Sequence, residues 1–357
     1  MAKSMLRVLI FGAGSIGNHL AHACRQKDWH VEMVDIDPGA LNRTRDEIYP
    51  GRYGEWDDSI VLRQEMDAAI PYDLVIVGTP PDSHLGIALD VLAANPPKVM
   101  LIEKPLCSPN LEGLSELEKK VEETGCICMV AYNHNFTDNT EEALRLIRSG
   151  FLGQPRSMHV RWLEHWGGIF KAHPWLEGPW DSYLGYSTQG GGACAEHSHA
   201  ISLWELFASA LGSGKVTQVS ALMDVNVSRG MKYDRTTQIS LKTGSGLIGT
   251  VTQDVVTSPA EKSVRIQGDD GFIEWYANFD ADSDALIYGE IDQEPVKKSF
   301  PKTRPDDFRN QISVVGDVLA GRILPDRNIL SAGVETMKIV AAAHQSYATK
   351  KVVLIDL

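Results

Sequence analysis

The chain has 357 residues, 43% hydrophobic and 23% charged, and a formal net charge of −13 from 34 Lys and Arg against 47 Asp and Glu. That length favours two domains, each large enough to bury a core, and the composition excludes wholesale disorder. An acidic chain repels phosphate backbones at long range, which argues against nucleic acid as a partner. No apolar run approaches the ~18 residues that span a bilayer. Met1-Ala-Lys-Ser-Met5 shows neither an apolar leader core nor a small-residue cleavage site. Five cysteines, odd in number and dispersed, read as free thiols. Together these features predict a cytoplasmic protein with no nucleic-acid and no membrane partner.

Leu6–Phe11 is a short apolar run ending at a glycine, which predicts a strand buried on both faces. Helices are expected over 16–27, 38–48, 83–94 and 110–124, alternating with strands over 30–35, 73–78, 98–103 and 126–132. Such alternation implies βαβ units and a parallel, doubly wound sheet. Residues 1–132 are therefore assigned to an α/β Rossmann domain. Residues 133–357 read as an α+β domain. A helix over 140–149 leads to a strand over 156–164 and a loop rich in Trp, Gly and Pro, then a helix over 195–211. Alternating segments at 216–227, 236–242, 247–255, 263–268 and 272–276, with turn signals such as Gly268-Asp-Asp-Gly271, predict a large antiparallel or mixed sheet. Helices over 306–320 and 328–348 precede a last strand over 351–355, and these helices are free to pack back on the first domain.

Gly12-Ala-Gly14-Ser15-Ile16-Gly17 follows the first strand and opens the first helix. In that setting Gly12 permits the turn, Gly14 a close backbone approach, and Gly17 helix–strand contact. The helix N-terminus offers backbone N–H groups to a pyrophosphate. Asp35, 18 residues after Gly17, ends the second strand, where a carboxylate binds ribose hydroxyls and repels a 2′-phosphate. Asp37 is expected to add to that repulsion, and no Arg directly follows Asp35, so the cofactor predicted is NAD rather than NADP.

Two further landmarks stand at strand ends: Thr79-Pro80-Pro-Asp-Ser-His84 and Glu103-Lys104-Pro105. With the glycine motif, Ala131-Tyr-Asn133-His134, Leu152-Gly-Gln-Pro155, Gly190-Gly-Gly192 through His199, and the region 304–346, the chain resembles the glucose–fructose oxidoreductase / inositol dehydrogenase / rhizopine-catabolism (Gfo/Idh/MocA) family. The resemblance runs along nearly the whole chain. It implies a Rossmann domain followed by an α+β domain whose open sheet forms a homodimer or homotetramer. It also implies NAD-dependent hydride transfer at a hydroxyl carbon of a sugar, cyclitol or nucleotide-linked sugar. The cofactor contacts it implies are Gly12, Gly14, Ser15, Ile16, Gly17, Asp35, Thr79, Pro80, His84, Glu103, Lys104, Pro105 and Asn133.

Oxidising a secondary alcohol requires a group to take the hydroxyl proton and positive charge near the developing alkoxide. Lys104, at the carboxyl end of a parallel strand, suits the second need, and the resemblance gives His199 the catalytic histidine position. Here the chain departs from the pattern. Ala195 and Glu196 stand where relatives carry Asp four or three residues before that histidine, Ser202 where Asp often follows it, and Asn135 where Arg is common. Glu196 is the candidate for the missing acid, reaching His199 if both share one helix face; the competing reading is a helix cap.

His134, Trp162, Trp175 and Tyr183 are the expected substrate contacts, since aromatic rings with polar edges suit sugar faces. An aromatic domain interface explains the same loop, with Trp166, Trp180, Tyr186, His165 and His173, almost as well. Cys126, Cys128, Cys194, His197 and His199 lack compact ligand spacing, so no metal is expected. Two other readings stay open: a glycoside hydrolase using bound NAD, and a noncatalytic NAD-binding regulator.

Overall fold

Short Val, Leu and Ile runs bounded by glycine and charged residues become strands, and the amphipathic stretches between them become helices. The computed structural model describes residues 5–355; the terminal segment read above for a leader, residues 1–4, lies outside them, as do 356–357. In chain order the elements are β1 (Arg7–Phe11), α1 (Ser15–Arg25), β2 (His30–Val34), α2 (Pro38–Arg43), α3 (Tyr49–Tyr53), β3 (Ile60–Arg63), β4 (Leu74–Val77), α4 (His84–Ala94), β5 (Val99–Ile102), α5 (Leu114–Thr124) and β6 (Ile127–Val130). They continue with α6 (Asp138–Arg148), β7 (Pro155–Leu163), α7 (Gly167–Ala172), α8 (Ala193–Glu196), α9 (His199–Ala210), β8 (Val216–Ser228), β9 (Met231–Thr243), β10 (Ile248–Asp254) and β11 (Glu261–Gly268). The last are β12 (Gly271–Asp280), β13 (Ser283–Glu290), β14 (Val296–Pro301), α10 (Asp306–Leu319), α11 (Leu330–Thr349) and β15 (Val353–Leu354).

The chain forms two compact units. The first contains the chain up to Cys107, then 112–133 and 305–333. Its six strands form one parallel sheet in the order β3-β2-β1-β4-β5-β6, a doubly wound Rossmann fold. β4 and β5 are buried at every residue, as a parallel strand covered on both faces must be. Because the order reverses beside β1, a crevice opens at the carboxyl ends of β1 and β4. α10 returns to this unit: Phe308 stacks on His19 of α1 at 4.6 Å, and Gly316 lets the helix approach Trp29.

The second unit, 108–111, 134–304 and 334 onward, is an α+β fold on a nine-stranded sheet in the order β14-β13-β12-β11-β7-β10-β9-β8-β15. β7 and β10 are parallel and every other neighbouring pair is antiparallel, so the sheet is mixed. Alternation decides its faces. Met158, Val160, Trp162, Ile239, Val251, Val264 and Trp275 point to the helix-covered core, while the register aligns His159, Thr250 and Arg265, and Leu222 with Gln238, on the other face.

Several elements differ from the sequence reading. β3, β13 and β14 are additional strands. β3 has only four residues at a sheet edge, and β14 is exposed except at half-buried Phe300 and carries Lys297 and Lys298, so neither shows a clean apolar alternation. The helix expected over 38–48 passes through a π-helical turn, Thr44–Ile48, and continues to Tyr53. The helix expected over 195–211 is two helices, α8 and α9, separated at His197 and Ser198. β9 begins five residues earlier than expected, at Met231.

Candidate active site

In the first unit, Gly12 follows directly on β1. Its φ is +99°, and a Cβ at this position would lie 2.5 Å from the Gly78 carbonyl oxygen, so no side chain fits. The turns after β1 and β4 thus lie against each other, with Gly78 N–H donating to the Phe11 carbonyl at 2.8 Å. A Cβ on Gly17 would collide with the Gly12 carbonyl oxygen, whereas one on Gly14 would meet nothing within 4 Å. Gly14 is also the N-cap of α1 and supplies no side chain to cap the first turn. The structure therefore leaves open space over an uncapped helix N-terminus, bordered by Ser15 and half-buried Ile16, which fits a pyrophosphate.

Asp35 stands beside this loop. Its Oδ2 accepts from Ala13 N–H at 2.9 Å and its Oδ1 from Asp37 N–H at 2.9 Å. Each oxygen keeps a second lone pair for a ribose hydroxyl. Asp37 has another occupation: it caps α2 through Gly39 N–H at 2.8 Å and pairs with Arg43 at 3.1 Å, and those two contacts hold its carboxyl below the ordinary range. Its charge is offset by a guanidinium, so repulsion of a 2′-phosphate falls to Asp35. The loop is buttressed by residues the sequence did not single out. Asn18 Nδ2 donates to the Gly14 carbonyl at 2.8 Å and to Thr44 Oγ1 at 3.1 Å, Thr44 donates to the Ala13 carbonyl, and Arg52 reaches Ser15 Oγ at 2.6 Å.

His84 touches backbone at both ring nitrogens, the Thr79 carbonyl at 2.7 Å and the Pro105 carbonyl at 3.0 Å. It ties the turn after β4 to the turn after β5, and complete burial pulls its pKa down. Pro80 leads into the short 3₁₀ turn Pro81–Ser83, and Thr79 Oγ1 lies 2.7 Å from Ser83 Oγ. Buried Glu103 accepts from Lys104 N–H at 3.3 Å, and the Lys104–Pro105 peptide is cis. Asn133, just beyond β6, has a buried Oδ1 with no hydrogen-bond partner, the sort of orphan a bound amide satisfies.

In the second unit the expected residues His134, Trp162 and His199 come together. Trp162, at the end of β7, stacks on His199 at 5.5 Å and meets the edge of His134 at 4.9 Å, and the two histidine rings are 5.0 Å apart. Burial, then His199 and the cations Lys302, Lys262 and Arg304, hold the His134 pKa well below 6.5, so its imidazole is neutral, with Nδ1 buried and unpartnered. Next to Trp162, Lys262 lies 5.2 Å from the ring centre and 2.8 Å from Glu164. Burial pushes the Glu164 carboxyl up, but Lys262, His197 and Arg304 outweigh it and hold it below its usual value. The Lys262–Glu164 ion pair beside Trp162 was not foreseen from sequence.

Glu196 and His199 do not share a helix face as expected. Glu196 ends α8 and His199 begins α9, with His197 at φ −93°, ψ 25° breaking the helix between them. The buried Glu196 Oε2 accepts from the Tyr183 hydroxyl at 2.8 Å. Asn135 and Ser202, both departures from the family pattern, touch each other: Asn135 Nδ2 donates to Ser202 Oγ at 3.0 Å. A neutral hydrogen bond therefore occupies the place of an Arg and an Asp. Trp175 meets His173 edge-on at 5.2 Å, while Trp166 is buried in a small core with Leu184, Ala193, Met231, Tyr233 and Val255, so the aromatic loop is divided between packing and exposed surface. Burial pushes all five cysteine thiols up, which disfavours thiolate ligands. Among the described residues no group of three or more His, Cys, Asp or Glu side chains is placed to hold a metal ion, and no helix is long and apolar enough to cross a membrane.

The fold and the open glycine loop define a dinucleotide-binding oxidoreductase architecture. Residues 6–132 match the family model described as "Oxidoreductase family, NAD-binding Rossmann fold", and residues 140–274 match the "GFO/IDH/MocA C-terminal domain". The chain belongs to the Gfo/Idh/MocA family, and its first unit is an NAD-binding Rossmann domain. Over 108 residues it is 32% identical to scyllo-inositol 2-dehydrogenase (NAD(+)) of Bacillus subtilis, a match covering 28% of this chain and 31% of that protein. Its fold is similar to an oxidoreductase from Agrobacterium radiobacter solved with NAD+, L-tartaric acid and magnesium, at 17% identity over 98% of both chains and a TM-score of 0.76. It is also similar to the WlbA dehydrogenase of Bordetella pertussis in complex with NADH and UDP-GlcNAcA, at 18% identity over 99% of both chains and a TM-score of 0.73.

Proposed function

We propose that this protein is an NAD-dependent dehydrogenase acting on a hydroxyl carbon of a sugar, cyclitol or nucleotide-linked sugar. The observation that carries the reading is the uncapped start of α1 beneath open space at Gly14, with the Asp35 carboxylate beside it. Gly12, Gly14, Ser15, Ile16 and Gly17 would hold the pyrophosphate, Asp35 the adenosine ribose, and Asn133, Glu103 and the 79–80 and 104–105 turns the remainder. When bound, NAD supplies a hydride acceptor. The protein's own residues handle charge and protons: Lys104 stabilises the developing alkoxide, and His199 takes the hydroxyl proton. Glu196, which accepts from the Tyr183 hydroxyl, is the proposed acid working with His199.

Support for the substrate class comes from the cyclitol in the name of the Bacillus subtilis relative and from the polyhydroxylated ligands named with the two solved structures. His134, Trp162, Trp175 and Tyr183 are the proposed substrate contacts, and the open face of the nine-stranded sheet is the proposed homodimer or homotetramer contact. The five buried, unbridged cysteines suit a reducing, cytoplasmic setting.

The test is a titration of the protein with NAD and with NADP by tryptophan fluorescence, followed by a screen of cyclitols, aldoses and nucleotide sugars for NADH formation. Tighter binding of NAD and steady accumulation of NADH with one class are expected. Equal or tighter NADP binding would refute the Asp35 assignment. Turnover of a glycoside without accumulated NADH would replace the dehydrogenase by the hydrolase, and binding without any turnover would replace both by a regulator.

A further inference from the structure

The segment that carries Glu196, His197 and His199 is anchored from outside its own helices. Three glycines bring it onto the sheet. Gly190 has φ +94°, a Cβ on Gly191 would strike the Tyr183 and Leu184 carbonyl oxygens, and one on Gly192, at φ +85°, would strike the Asp234 carboxylate. Below them lie two polar side chains of neighbouring strands, Asp234 of β9 and Gln253 of β10, exposed by only 1% and 0%. Asp234 Oδ2 accepts from Cys194 N–H at 2.7 Å and from the Thr237 hydroxyl at 2.5 Å. Gln253 Nε2 lies 2.7 Å from the His197 carbonyl oxygen and 3.3 Å from those of Ala193 and Cys194.

A regular strand would not arrange this. Residues 234 and 237 are an odd number apart and would face opposite sides. Opposite β8 the register shifts between Asp224 and Val225, so that Thr236 and Asp234 find partners and Arg235 is left over. That bulge brings Asp234 to the face of Thr237, which is what bulges do next to functional sites. The His197 carbonyl is the pivot. It accepts from Ala200 N–H at 2.9 Å, the first turn of α9, and also from Gln253. One amide therefore spans the end of α8 and the start of α9.

We propose that Asp234 and Gln253 are positioning residues: they fix, through the 193–197 backbone, the break that presents His199 at the start of α9. The relevance of this to catalysis rests on the proposed role of His199; the positioning itself does not. Buried polar groups in a sheet interior are costly, and here Asp234 Oδ1 and Gln253 Oε1 have no hydrogen-bond partner, yet Asp234 Oδ2 and Gln253 Nε2 both bond the one segment where a continuous helix is interrupted.

The test uses the full chain labelled with 13C and 15N at histidine, with ring signals followed by NMR through a pH titration and no ligand added. The variants are Gln253→Met, which keeps the volume and removes the donor, Asp234→Ala, which releases the Cys194 N–H, and Asp234→Asn, which keeps an oxygen to accept it. Gln253→Met and Asp234→Ala should each move the His197 and His199 signals and displace the His199 titration midpoint by about 0.5 pH unit or more. His159, on the opposite sheet face, should stay where it was, and Asp234→Asn should restore the wild-type pattern. Unmoved His197 and His199 signals in either folded variant overturn the proposal, as does an Asp234→Asn spectrum matching that of Asp234→Ala.

Turnover separates this from the functional reading. On an alcohol that passes the NADH screen, Gln253→Met should lower kcat roughly tenfold or more with binding of NAD unchanged, and should add little to His199→Ala. If His199→Ala turns over at the wild-type rate, the functional reading fails, while the NMR result still decides the positioning.

Discussion

Glu205 makes the stability of α9 depend on pH in a direction opposite to that of most carboxylates. Its carboxyl accepts from the Thr336 hydroxyl at 2.5 Å, and burial pushes its pKa up to about 8. Neighbouring Glu335 pushes the same way, while the Thr336 hydrogen bond and Lys215 pull back. An unfolded Glu titrates near ~4.3. Between the two values the folded chain holds a proton that the unfolded chain has lost, so stability is fully present below the lower value and is lost as pH rises through the upper one. The slope approaches about 1.4 kcal/mol per pH unit, for a total on the order of 5 kcal/mol. Glu205→Gln keeps an acceptor for Thr336 and has no proton to lose. Urea unfolding of both proteins, with hydrogen exchange of the α9 amides to isolate that helix, should show the variant gaining on the wild type by on the order of 3–4 kcal/mol from about pH 5 to about pH 8.5. Parallel stability curves across that range would refute the reasoning.

Gly12→Ala, with φ +99° and a Cβ 2.5 Å from the Gly78 carbonyl oxygen, should cost on the order of 2–4 kcal/mol and lower the melting temperature. Gly14→Ala meets no neighbour, so it should leave the melting temperature in place and weaken NAD binding measured by fluorescence, because its methyl enters the space proposed for the pyrophosphate. Lys104→Ala and His199→Ala should each reduce turnover by ~100-fold or more with NAD affinity retained; near wild-type rates in both would remove their assigned roles. Ser202→Ala takes the acceptor from Asn135 and should destabilise the protein by about 1 kcal/mol in urea unfolding.

The sequence by itself determined whatever depends on local pattern. Apolar runs such as Leu74–Val77, short and closed by glycine, read as strands covered on both faces, and the glycines at 12, 14 and 17 followed by Asp35 mark a strand–turn–helix unit. The family resemblance placed His199 among the functional candidates, and aromatic rings with polar edges placed His134 and Trp162 there. Tertiary structure decided what depends on partners far away in the chain. Edge strands β3 and β14 exist because a neighbouring strand offers hydrogen bonds, which leave no apolar alternation to read. Asp37 is occupied by Arg43, Glu164 stays charged because Lys262 arrives from another strand, and Asn135 meets Ser202 from 67 positions away. The break between Glu196 and His199 has the same origin. Local propensity favours one continuous helix, and a bulged Asp234 and a buried Gln253, supplied by the sheet, hold the backbone in two.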